Sequence, residues 1–155
     1  MRPKLSLSVQ YAVTPEGVPN RARFRRWVTA ALRRDAEITL RIVGAEEGHV
    51  LNRDYRGKDY ATNVLTFVYD DVIPGAGLQL AGDIVLCAPV VDSEAAQQGK
   101  SVEAHYAHLV IHGVLHLQGY DHETDAEAQQ MEALESQIVS KLGYADPFQE
   151  EKRDV

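Results

Sequence analysis

Residues 102–122 read VEAHYAHLVIHGVLHLQGYDH, and two signals in this stretch govern how the rest of the chain is arranged. From Val102 to about Leu117 the run is apolar on most sides, which predicts a helix inside a core and not one lying on a surface. Gly119 follows the last periodic residue, and a residue without Cβ can take the left-handed conformation that stops a helix and turns the chain back. His112 and His116 lie one helical turn apart, so both imidazoles leave the same face and can converge on one ion. The turn at Gly119 lets His122 approach the same point. Three neutral nitrogen ligands leave one position open to water or substrate, which marks a catalytic zinc site and not a closed structural one. The expectation is one Zn2+ per chain, held by His112, His116 and His122.

Outward from this helix the punctuation is regular. Pro89 to about Gln98 favours a helix that Gly99 interrupts, and an amphipathic helix from about Thr124 to Leu142 ends at Gly143. The tail after about residue 145, closing in QEEKRDV, reads as frayed. Upstream, LSLSVQY at 5–11 alternates as a half-buried strand does, and Asn20 offers a cap for a helix over Arg21 to Arg34. ITLRIV at 38–43 is a second strand, and a second helix runs from Ala45 to about Tyr55. VLTFVY at 64–69 and about Gly82 to Cys87 are strands that can pair as a hairpin across the Pro74, Gly75, Gly77 loop. The order predicts a single α+β domain over residues 1–155, a small mixed four-stranded sheet packed with about five helices.

The chain has 155 residues, 45% of them hydrophobic, which suits one core. Its opening MRPKLSLSVQY has no continuous apolar stretch, so neither a secretory signal nor a membrane anchor is expected, and a cytoplasmic location follows. The single cysteine, Cys87, agrees with a reducing compartment. A net charge of -7 argues against a polyanionic partner. Distribution qualifies the sum: Arg21, Arg23, Arg25, Arg26, Arg33 and Arg34 crowd one segment, and Arg53, Arg56 and Lys58 another. They form either a local basic face or ordinary solvated helix surface.

Other side chains compete for roles. Cys87 follows Ile84, Val85 and Leu86, the setting of a thiol buried in a strand and not of a fourth ligand. His105 and His108 precede the triad on its helix and either orient the site or donate a proton, or are partly exposed histidines with no role, whereas nothing distinguishes His49. Asp121 could hold a ligand imidazole or cap the next helix. The histidine spacing also occurs in metzincin proteases, where a glutamate after the first histidine is the general base. Gly113 stands there, so proteolysis by that mechanism is not expected.

HGVLHLQGYDH, taken with LNRDYRGKDYATNVLTF upstream and AGDIVL between, resembles the YbeY family of metal-dependent endoribonucleases of ribosomal RNA maturation, over about residues 38–143. The resemblance implies single-strand-specific cleavage linked to the 3′ end of 16S ribosomal RNA and to ribosome quality control. It implies single-stranded RNA and the small ribosomal subunit as partners, with ribosomal proteins or an assembly GTPase as further ones. Residue by residue it places the metal triad on His112, His116 and His122 and a functional arginine on Arg56. Ala61 and Thr66 depart from the residues common in the family. Arg56 would hold a phosphate beside the cleaved bond, or else pair with Asp54 or Asp59. No general base is evident: water, Asp121, an extra histidine or the RNA 2′-hydroxyl could serve. Two other readings compete: a metal-dependent hydrolase of another substrate, and a non-catalytic assembly factor with a structural metal.

Overall fold

The computed structural model describes residues 3–69, 80–120 and 123–148. Four strands, β1 (Leu5–Tyr11), β2 (Ala36–Val43), β3 (Val64–Tyr69) and β4 (Leu80–Cys87), form one sheet in the order β1-β2-β4-β3. β1 and β2 are parallel, as are β2 and β4, while β3 runs antiparallel to β4 with Val64 opposite Leu86. Five helices accompany them among the described residues: α1 (Arg21–Ala31), α2 (Ala45–Arg56), α3 (Ala88–Gln98), α4 (Val102–Leu117) and α5 (Asp125–Lys141). This is the mixed α+β arrangement that the order of elements predicts, with β3 and β4 paired as expected, and the Pro74, Gly75, Gly77 loop lies outside the described residues.

Alternation along β4 separates two cores, because successive side chains of a strand point to opposite faces. Leu80, Ile84 and Leu86 join the large core with α1, α4 and α5, whereas Val85 and Cys87 join a smaller one with Leu65 and Leu51 of α2. Helices α2 and α4 therefore cover opposite faces of the sheet. α4 lies very close to β4. A Cβ on Gly113 would stand 3.2 Å from Ile84 Cδ1, and one on Gly82 would stand 2.7 Å from the Phe67 carbonyl oxygen and 2.8 Å from a Leu117 methyl. Its burial matches the apolar character read from the sequence, with Tyr106, Val110, Ile111, Val114 and Leu115 excluded from solvent.

α1 ends at Ala31, three residues before the end that its sequence predicts. The reason is tertiary. Gln118, just past α4, accepts from the Arg33 amide at 2.7 Å and donates to the Ala31 carbonyl at 2.9 Å, replacing the bonds another helical turn would make. Phe24 and Trp27 then fill the space under α1, edge to face at 5.6 Å.

The Gly82 contact predicts a stability effect. Gly82→Ala should lower unfolding free energy by about 1–3 kcal/mol, because backbone and a packed leucine must both give way. Chemical denaturation measures it, and an unchanged midpoint would show that α4 does not sit this tightly on β4.

Candidate active site

Close packing of α4 decides where its histidines point. Gly113, Val114 and Leu115 are buried, leaving His112 and His116 together on a partly exposed side of the helix. Their rings stand parallel, 5° apart, with centroids separated by 6.3 Å. Two Zn–N bonds of about 2.0–2.1 Å plus the reach of two rings can span that separation, so the pair fits a shared ion. Gly119 takes φ +99°, and the Tyr120 amide bonds back to the Leu115 carbonyl at 3.2 Å, so the chain reverses as its glycine predicts. His122 and Asp121 lie outside the described residues. Among the described residues no group of three His, Cys, Asp or Glu is placed to hold a metal.

A buried carboxylate backs this pair. Glu135 of α5 is 2% exposed and lies 2.6 Å from His112 Nδ1, with His108 Nε2 at 3.4 Å from the same oxygen. Burial works to raise the Glu135 carboxyl, but the neighbouring His108 and His112 imidazoles outweigh it and hold the group below its ordinary value. An ionised carboxylate only accepts, so His112 donates from Nδ1, and a neutral ring then carries its lone pair on Nε2. Carboxylate partners of this kind fix the tautomer of metal-bound histidines. His112 and His108 open onto a cavity of about 360 Å³ lined also by Asn63, Met131, Glu132, Glu135 and Phe148.

Arg56 is the last residue of α2, exposed, on the face of the sheet opposite α4. It makes no hydrogen bond or ion pair among the described residues. The two acids that could have neutralised it have other partners: Asp54 meets Arg53 at 3.2 Å, and Asp59 meets His49 at 2.6 Å. Gly57, at φ +70°, ends the helix, and buried Asn52 donates to the Tyr60 carbonyl at 2.7 Å. The segment so fixed leads from Arg56 to Asn63 at the cavity wall.

The sequence profile of the family described as endoribonuclease YbeY matches residues 18–143. The chain belongs to this family. It is 59% identical to endoribonuclease YbeY of Nitrosomonas europaea, over 94% of this chain and 85% of that one. With endoribonuclease YbeY of Nitrosospira multiformis the identity is 60%, over 94% and 82%. Its fold is similar to the solution structure of TM1509 from Thermotoga maritima, at a TM-score of 0.59 and 25% identity, covering 97% of this chain and 93% of that one.

Within this YbeY family framework the remaining candidates separate. Cys87 is buried on the α2 face, near the Gly44 carbonyl at 3.6 Å, and burial pushes its thiol up, so it is remote from ligand chemistry. Gly113 faces Ile84 and not the cavity, so this position could not present a base even if it carried one. His108 joins the site through Glu135, and His105 bonds Glu94 at 2.8 Å. His49 pairs with Asp59. Sequence reasoning missed Glu135, Glu94 and Asn63. A signal for the first existed: Glu135 interrupts the apolar stripe of Met131, Ile138 and Val139 on α5, and a charge within such a stripe needs a buried partner. Helix α1 also spends arginines on structure, with Arg23 paired to Glu103 and Arg21 bonded to the Val9 carbonyl.

Replacing Glu135 by leucine strands two imidazoles beside an apolar side chain. Glu135→Leu should cost about 1–3 kcal/mol of stability, and Glu135→Gln less, since an amide oxygen still accepts from His112. Equal stability of the three proteins in denaturant titrations would refute the bond between α4 and α5.

Proposed function

We propose that the chain is a zinc-dependent endoribonuclease that cuts single-stranded RNA, acting in maturation of the 16S ribosomal RNA 3′ end and in ribosome quality control. The observation that carries this reading is His112, parallel to His116 one turn away, backed by buried Glu135 and lining a cavity. A structural zinc would instead be enclosed by four protein ligands. Membership of an endoribonuclease family supplies the substrate class, and the small ribosomal subunit is the partner that the proposed role requires. No helix of the described residues is long and apolar enough to cross a membrane.

His112, His116 and His122 would hold the ion. When bound there it supplies Lewis acidity, which lowers the pKa of water toward neutrality and draws charge from a phosphoryl oxygen. The protein's own groups do the positioning. Glu135 keeps the His112 ring in one tautomer and orientation, so that Nε2 meets a ligand without rotational freedom to lose. Arg56 offers a guanidinium with no competing carboxylate among the described residues, suited to a bidentate phosphate contact, and the strand would pass the sheet edge to reach it. His108 lines the cavity and can exchange a proton there.

Purified protein should contain close to one zinc per chain, and the His112→Ala, His116→Ala double variant should lose it. Metal-loaded parent should cleave single-stranded RNA, spare duplex RNA and casein, and fall silent when chelated. Full zinc occupancy in the double variant, or cleavage of casein in place of RNA, would overturn the proposal.

Arg56→Ala separates the roles of that residue. If Arg56 holds a phosphate in the transition state, cleavage should fall roughly 10- to 100-fold, the range given by a lost contact to charge of about 1.5–3 kcal/mol. Metal content and melting temperature should hold, and RNA affinity should lose part of its salt dependence. Arg56→Lys then distinguishes charge from fork geometry. Undiminished cleavage by Arg56→Ala would remove the residue from the site.

A further inference from the structure

A second cavity, of about 500 Å³, opens beside the first. Asn63, His108, Leu109 and Phe148 line both, so the two share a wall. Glu94 of α3 lines the second cavity alone. Its Oε1 accepts from Asn63 Nδ2 at 3.0 Å and lies 2.8 Å from His105 Nε2. His105 is 3% exposed, and burial holds it below its ordinary pKa against the pull of Glu94, so a neutral ring donates from Nε2. Oε1 thus has both lone pairs engaged. Oε2 has a second Asn63 contact at 3.4 Å, too long for a strong bond, and the side chain remains 30% exposed. A carboxylate is held rigidly from behind, with acceptor capacity on one oxygen.

We propose that this cavity receives the base of a nucleotide next to the cleaved phosphodiester, and that Glu94 selects bases carrying an exocyclic amine over uracil. The proposal rests on the RNA reading given above. The polar groups assign the contents of the two cavities: the ion proposed beside His112 would draw a phosphate to the first, against Glu132 and Glu135, whereas the fixed acceptor of Glu94 suits a base edge in the second, whose lining also carries Lys100 and Asp146. Cytosine, adenine and guanine each have an amino group that can donate to Oε2. At the corresponding position uracil presents a carbonyl, whose lone pairs face the carboxylate and leave both without a partner. Phe148, edge-on to His108 at 5.4 Å, supplies an aromatic surface on the shared wall against which a base can stack.

The test uses the full chain and pentanucleotides that differ only in cytidine or uridine at one position, scanned along the strand. Binding is read by fluorescence anisotropy in chelated and zinc-loaded protein, and cleavage is read in parallel. One position should favour cytidine roughly tenfold, the effect of one hydrogen bond to a charged group. Glu94→Gln should abolish that preference, because an amide can turn either a donor or an acceptor toward the base. Ala104→Trp, which fills the cavity from α4 and leaves Glu94 in the sequence, should abolish it too and decides the matter if Glu94→Gln fails to fold. Indifference of the parent at every position, absence of binding by every pentanucleotide, or a preference that survives the substitutions would each overturn the proposal. RNA cleavage without base preference removes the base pocket and leaves the nuclease reading. Base preference in binding without any cleavage does the reverse.

Discussion

Helix α4 can lie on β4 at the observed distance only because side chains are missing at two contact points, Gly82 on the strand and Gly113 on the helix. Every other feature of the site depends on this contact. Once residues 113, 114 and 117 are pressed into the core, the residues one turn apart at 112 and 116 have to emerge along the side that α5 approaches. Gly113 therefore has a packing reason to be glycine. Its position in the motif resembles that of a metzincin base, yet the backbone aims it at Ile84. Spacing of ligands and spacing of a base are separate constraints, and this fold keeps only the first.

The second constraint is the buried Glu135. A carboxylate at 2% exposure is costly to take out of water, and the two imidazoles that offset this cost would themselves be stranded without it. What it supplies is definition, since it ties α5 to α4 at one ring nitrogen and fixes which nitrogen remains. Glu94 repeats the arrangement one cavity away, with Asn63 and His105 in the supporting positions. Two buried or half-buried carboxylates, each held by histidines of the same helix, make α4 the spine along which the chemistry is laid out.

Much of the fold was legible in the sequence, and for identifiable reasons. β1, β3 and α4 begin and end where alternation, the apolar run and the capping residues place them. α1 was overestimated because Gln118, 87 residues from Ala31, ends it, and no local signal carries that information. In the site, His112 and His116 were legible through helical spacing alone. Glu135 was not, since reading it requires knowing that α5 packs on α4. Arg56 was legible only through resemblance, and the placement of α2 across the sheet could not be anticipated from a motif that joins the two in one sequence pattern.

Charge bears on how such a site would find RNA. With a net charge of -7 and arginines of α1 engaged by Glu103 and by strand carbonyls, broad counterion release cannot supply much affinity. Under the RNA reading, binding then has to come from few, well-placed contacts: one guanidinium, one ion and a base held by its edge. Contacts of that number give discrimination but weak association. An enzyme built this way works best where its substrate is presented at high local concentration, as a strand end fixed on a larger particle is. The acidic balance of the chain is compatible with the proposed ribosomal substrate, because an acidic protein is repelled from bulk RNA and would be retained only where a strand fits the site.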